Sequence, residues 1–347
     1  MGKFWVRFVG WSLMAVLFQA SAAVVVHAAM SRWTLPESAI WIKQIEYTRA
    51  APVVPSDHAS LIILGDSRPF GGIRHSELAR GARSLALPGA TAVDVYYQLE
   101  RYLERHAPPR LAIISIAPEH MVKMEQVFFD WSVRVGSVSR RQALEVLDLK
   151  KSRGGYRRPF LIDYWNERVL LELYQARIFV FYRSIIMQMT PRAVRQGRLE
   201  QNKLDNRFAY DYGNSRRRSS ELNAEAKMSR FVPDPTLDAY LFKIFDLAER
   251  HGILVAYEVM PMNETSYKKL HPRYKQDFME FLNSIAQKAP INTHVHAAIP
   301  HYPDELFSDP SHLNSRGAQR FTRVLQRRYA KILSVLADEK TGQNTLK

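Results

Sequence analysis

The chain contains no cysteine, which excludes disulfide bridges and every metal site built on thiolates, and is compatible with an oxidising compartment. It carries no internal repeat at any length. Acidic residues are in short supply: 34 Asp and Glu stand against 49 Lys and Arg, a formal charge of +15. Long uncharged runs are scarce too, with one near the N-terminus, which rules out a multi-spanning membrane protein. The remainder is ordinary. Hydrophobic residues make up 46% and charged residues 24% of 347 positions, which suits one large domain, alone or with an insertion.

The positive charge is unevenly placed. Residues 131–230 hold 21 Lys/Arg and 10 Asp/Glu, a net of +11. Such a stretch suits anionic lipid headgroups, an anionic polysaccharide or nucleic acid, and equally a well-solvated helical surface. Location narrows the choice. Lys3 and Arg7 precede residues 8–26, nineteen positions without a charge, enough to cross a hydrocarbon core of about 30 Å as a helix. Cations on the N-terminal side hold that side in the cytoplasm and send everything after residue 30 outside. Ala20-Ser21-Ala22 and Val26-His27-Ala28 offer the small-residue cleavage patterns of a signal peptide, but the length of the run favours an uncleaved anchor. Either way the body is exported, which sets nucleic acid aside as a partner.

The expected organisation is a membrane anchor or uncleaved signal at 1–30, a lead-in linker at 31–58, an α/β domain at 59–337 and a disordered tail at 338–347. A mostly helical, basic insertion at about 121–235 interrupts the domain. Trp33, Trp41 and Tyr47 in the lead-in suit either the headgroup level of a membrane or packing on the domain. Within the insertion, residues 169–189 are apolar and aromatic but broken by Glu172, Gln175, Arg177 and Arg183. That suits an amphipathic helix lying on a bilayer or docking on a membrane partner, or one packed on the core.

Outside the insertion, strands and helices alternate. Residues 61–64, Leu-Ile-Ile-Leu, form a short apolar run ended by Gly65-Asp66-Ser67. Residues 84–87 form a second, closed by Pro88-Gly89-Ala90-Thr91; 93–106 carry helical spacing; 111–117 form a third strand, closed by Pro118-Glu119-His120. The pattern resumes with a helix over 236–251, a strand over 253–259, a helix over about 273–287 and a last strand over 293–299. A long helix over 315–336 follows, with Ser315 as its N-cap. This alternation predicts an α/β fold, a parallel sheet with helices on both faces.

A serine at the tip of the first strand would present its hydroxyl at the carboxyl edge of the sheet, where open α/β sheets place their chemistry. A serine hydroxyl is a poor nucleophile until a base removes its proton. Near the other end the chain supplies Asp309-Pro310-Ser311-His312. In the expected constellation Ser67 attacks an acyl carbonyl, His312 takes its proton and returns one to the leaving group, and Asp309 steadies the imidazolium. The oxyanion needs preorganised donors, and the backbone N–H groups of Ser67 and Gly89 are the candidates, glycine allowing close approach of the backbone. Gly65-Asp66-Ser67-Arg68-Pro69 does not fit G-x-S-x-G, which excludes the α/β-hydrolase elbow. His294 and His296 share a face of the last strand, but no third ligand stands at a recognisable spacing, so no metal site is expected.

Gly65-Asp66-Ser67, Leu87-Pro88-Gly89-Ala90-Thr91 and Asp309-x-x-His312-Leu313-Asn314 resemble blocks I, II and V of the SGNH/GDSL hydrolase superfamily. The resemblance implies a flavodoxin-like three-layer parallel sheet, an acyl-serine mechanism with no cofactor, and the Ser67, His312, Asp309 triad. One block departs from the pattern. Where the family carries G-x-N-D, whose Asn donates to the oxyanion, this chain has Ala117-Pro118-Glu119-His120. Arg68, Glu119 and His120 are therefore accessory candidates near the hole. The departure is similar to the membrane-anchored envelope branch of the superfamily, which includes alginate O-acetylation and teichoic-acid D-alanine transfer proteins. That likeness implies a membrane-anchored, extracytoplasmic O-acyltransferase (O-acetyl) or esterase acting on an envelope or secreted polysaccharide. It also implies a multi-spanning acyltransferase as partner, and the basic, aromatic insertion lying against the membrane lipid surface. Two other functions stay open: a non-catalytic module that binds polysaccharide or scaffolds an acylation complex, and a secreted esterase released by signal cleavage.

Overall fold

Alternation along the strands decides the layering. In β1 (Leu61–Gly65) every residue is buried, yet successive side chains must point to opposite faces. Ile62 and Leu64 join one core cluster and Leu61 and Ile63 another. A strand buried on both faces needs a layer of helices on each side. The computed structural model of the protein describes Met14 and residues 36–50, 59–124, 128–133, 135–154, 160–175 and 219–334. The apolar run at 8–26 lies, apart from Met14, outside them; among the described residues no helix is long and apolar enough to cross a membrane.

In chain order α1 (Pro36–Arg49) precedes β1, which is followed by α2 (Ser67–Gly72), α3 (His75–Leu78), β2 (Ala82–Ser84), α4 (Ala92–Arg105) and β3 (Leu111–Ser115). Helices α5 (Glu119–Val122), α6 (Arg140–Ser152) and α7 (Phe160–Gln175) occupy the first part of the insertion. Then come α8 (Pro235–Arg250), β4 (Leu254–Tyr257), β5 (Met262–Asn263), α9 (Glu264–Lys269) and α10 (Pro272–Lys288). The chain continues with β6 (Thr293–Val295), β7 (His301–Tyr302) and α11 (Ser315–Arg328).

The main sheet has five parallel strands in the order β2-β1-β3-β4-β6, and β5 pairs with β7 beside it. Strand order reverses at β1, whose neighbours are β2 and β3, so the end of β1 lies at the topological switch point where open sheets bind ligands. Apolar residues of α4, α8 and α10, among them Leu99, Ile244 and Phe278, cover the Ile62/Leu64 face. Phe321 and Leu325 of α11, with Leu78 of α3, cover the Leu61/Ile63 face.

Several boundaries differ from expectation for identifiable reasons. β2 begins at Ala82, and its ladder to β1 continues past Ser84 through the Leu85 and Leu87 N–H groups, which donate to the Ile63 and Gly65 carbonyls at 2.7 and 2.8 Å. The last core strand stops at Val295; the His296 N–H still donates to the Tyr257 carbonyl at 3.0 Å, and residues 297–300 then lead to β7. The expected helix over 315–336 is α11, broken at Tyr329, and its cap is Asn314 rather than Ser315: the Asn314 side chain accepts from the Arg316 and Gly317 N–H groups at 3.1 and 3.0 Å.

The lead-in at 31–58, expected as a linker, contains α1 packed against α4. Trp41 is fully buried there, so it serves the domain and not a headgroup layer. Trp33, the tail at 338–347 and residues 176–218 of the insertion lie outside the described residues. Of the stretch 169–189, residues 169–175 form the end of α7. A buried ion pair, Lys150 Nζ to Glu167 Oε1 at 2.6 Å, joins α6 to α7.

Candidate active site

Gly65 ends β1 with φ of 138°, a backbone conformation that only glycine adopts readily. A Cβ at this position would fall 1.7 Å from the Ser115 carbonyl oxygen, so the tips of β1 and β3 meet too closely for a side chain. The next residue, Asp66, is fully buried. It caps α2 by accepting from the Arg68 N–H at 2.8 Å and also accepts from the Ala117 N–H at 2.5 Å. Asp66 thus ties the end of β3 to the start of α2, and capping does not occupy Ser67. The Ser67 hydroxyl is directed elsewhere, with Oγ 2.8 Å from His312 Nε2.

The loop that delivers His312, from 245 positions away, is held at several points. Phe307 and Leu313 are buried and bridge one another, and the Ser308 N–H donates to the His312 carbonyl at 2.9 Å. Asn314 Nδ2 donates to the Glu305 carbonyl at 2.8 Å while its oxygen caps α11. Asp309 Oδ1 accepts from the Ser311 and His312 N–H groups at 2.8 and 2.9 Å. The imidazole Nδ1 lies 2.8 Å from Asp309 Oδ2. An ionised carboxylate only accepts, so Nδ1 donates to Asp309, and in the neutral tautomer Nε2 is left to accept from the Ser67 hydroxyl. Burial alone would raise the Asp309 carboxyl, but the hydrogen bond and charge of His312, with the two backbone donors, hold it below the usual range. The three expected triad residues therefore meet in one line.

Gly89 sits on a turn beside this line. Its φ of 77° is left-handed, and the Leu87 N–H bond to the Gly65 carbonyl brings the turn next to Gly65-Asp66-Ser67. Trp41 Nε1 donates to the Pro88 carbonyl at 3.0 Å, so a helix of the lead-in buttresses the residue before Gly89. Sequence reasoning assigned Trp41 no part in the site; a tryptophan in a lead-in carries no signal of the carbonyl it will meet.

The accessory candidates cluster behind the serine. Arg68, 4% exposed, pairs through Nη2 with Glu225 Oε1 at 2.5 Å and Glu119 Oε1 at 3.3 Å. Burial opposes its charge, but Glu225, Glu119 and Asp66 hold it firmly protonated. His120 Nδ1 lies 3.2 Å from Asp66 Oδ2, an ion-pair distance. Burial pulls the His120 imidazole down, yet Asp66 and Glu119 raise it above its ordinary value. Burial likewise opposes the Asp66 charge, and His120, Arg68 and the Ala117 N–H together lower its carboxyl. Arg68 and His120 are thus engaged by carboxylates beside Ser67. Glu225, from the returning end of the insertion 157 positions away, completes the cluster, and nothing in its local sequence marks it. The chain matches none of the protein-family models compared with it and none of the curated proteins.

Proposed function

We propose that the protein is a serine O-acyltransferase or esterase of the SGNH/GDSL type, anchored in a membrane by residues 8–26 and acting outside the cytoplasm on a polysaccharide. One observation carries this reading: Ser67 Oγ, His312 and Asp309 form a continuous relay with contacts of 2.8 Å at each joint. The strand order β2-β1-β3-β4-β6, with a catalytic serine at the switch point, supports the same assignment, since a flavodoxin-like sheet has that sequence of strands.

The chemistry follows from the relay. Ser67 Oγ attacks the carbonyl carbon of an acyl donor as His312 Nε2 accepts its proton, and Asp309 stabilises the imidazolium. The charge that forms on the carbonyl oxygen is met by the Ser67 and Gly89 N–H groups. Collapse breaks the acyl–donor bond, and His312 returns the proton to the departing oxygen. An acyl-Ser67 ester remains. An acceptor hydroxyl then attacks it with His312 as base, giving an acylated sugar, or water attacks and hydrolyses it.

Membrane apposition gains support from α7, where Trp165 and Val169, four residues apart, are 58% and 56% exposed. Such a pair on a basic insertion suits a lipid surface or a membrane-embedded partner that supplies the acyl group. The lack of the family's oxyanion Asn favours a second reading, a non-catalytic glycan-binding or scaffolding module of an acylation complex. Hydrolysis of p-nitrophenyl acetate separates them. The expected result is turnover by the wild type and a fall of about 1000-fold or more in kcat/KM for Ser67→Ala. Equal turnover by the two proteins would remove the acyl-serine mechanism.

A further inference from the structure

Helix α11 begins directly after the catalytic loop and contains no acidic residue. Its buried face is Gly317, Ala318, Phe321, Thr322 and Leu325. Arg316, Arg320, Arg323 and Arg327 stand at spacings of four, three and four, all exposed. At about 100° per residue they fall within an arc of about 60°, a single file about 16 Å long. Among the described residues none of the four pairs with a carboxylate; Arg320 lies over the Tyr302 ring at 4.8 Å.

Helix stability does not account for this file. Cations suit the last turn of a helix and are unfavourable in the first, yet the file begins at Arg316. Like charges four apart repel, and two of its steps are of that kind. Its surroundings continue the theme. The contact with Tyr302 sets Arg320 near the segment that leads to Asp309. At the far end Arg327 and Lys331 line an open cavity of about 600 Å³ together with His294 and His296; Arg328, also in its wall, is neutralised by Glu258. A membrane surface is the poorer occupant, because interfacial helices pair their cations with an apolar face for insertion, and the apolar residues of α11 are spent on the core.

We propose that the arginine file of α11 is a binding track for an extended anionic polysaccharide, whose carboxylates it meets in succession while a hydroxyl of the same chain reaches acyl-Ser67. Its purpose rests on the acyl-serine reading; its binding chemistry does not.

The test uses the full-length protein in neutral detergent and fluorescein-labelled polygalacturonate as probe, with labelled neutral dextran alongside. Polygalacturonate is expected to bind, dextran not, and affinity to fall with salt. The fourfold variant Arg316→Gln, Arg320→Gln, Arg323→Gln, Arg327→Gln should bind about 10-fold or more weakly, and the corresponding fourfold Lys variant close to wild type. The double variants Arg316→Gln/Arg320→Gln and Arg323→Gln/Arg327→Gln should each show an intermediate loss, which keeps the test decisive if the fourfold Gln variant does not fold. Undiminished binding by the Gln variants overturns the proposal. So does failure of the wild type to bind, or binding only to phosphatidylglycerol vesicles through these arginines, which would make the file a membrane contact. Binding is expected to persist in Ser67→Ala. Polygalacturonate binding without any acyl-serine chemistry keeps the track and removes the enzyme; acyl-serine chemistry without polygalacturonate binding does the reverse.

Discussion

Asp309 and Asp66 are both carboxylates held below their usual range, but they do different work. In the proposed mechanism Asp309 orients a base, so Asp309→Asn should leave the fold intact and lower kcat on an activated acetyl ester by about 100- to 10,000-fold, because the amide no longer holds Nδ1 as the protonated nitrogen. Steady-state kinetics check this, and a loss confined to KM would contradict it. Asp66 acts through structure. Its folded pKa lies below the unfolded value of about 3.9, so its contribution is fully present above that pH and lost as pH falls through the folded value. His120 is raised, so its contribution is fully present below about pH 6.5 and lost as pH rises through its folded value. The pair should therefore stabilise most between about pH 4 and 6.5. Thermal melts of wild type and His120→Gln across pH should show the largest Tm difference in that window and a shrinking one on its alkaline side. A difference that grows with rising pH would refute the assignment.

At the level of elements, α1 is the part whose role the fold revealed. The indole of Trp41 fills a fully buried site and holds the Pro88 carbonyl. Trp41→Phe keeps most of the packing and removes one partly buried hydrogen bond, a cost of about 0.5–1.5 kcal/mol. The expected signature is a kcat decrease larger than any KM change, since the turn that carries the Gly89 N–H loses its brace; unaltered kcat with lowered Tm would make Trp41 structural alone. The strand-turn-helix order around Ser67 was legible because short apolar runs ended by glycine and proline are local signals. So was the pairing of Asp309 with His312, which lie three apart, so that carboxylate and imidazole share one turn. Glu225 was not legible. Its meeting with Arg68 depends on how a long insertion returns to the domain, and no local pattern encodes such a contact. The Asn314 cap was misread as Ser315 because both residue types cap helices well, and only the loop path decides between them.

For the whole molecule, two separated segments converge at the switch point of a parallel sheet, and the returning end of a basic insertion meets Arg68, the residue after Ser67. A triad set in this frame should contain an activated serine, which a fluorophosphonate probe reports directly. The most direct measurement is intact-protein and peptide mass spectrometry of the full-length chain after such labelling, with Ser67→Ala and His312→Ala beside it. The predicted result is one adduct, on the peptide bearing Ser67, absent from Ser67→Ala and slowed by about 1000-fold or more in His312→Ala. A wild-type chain that takes no label, or labels equally well without Ser67, would contradict the triad.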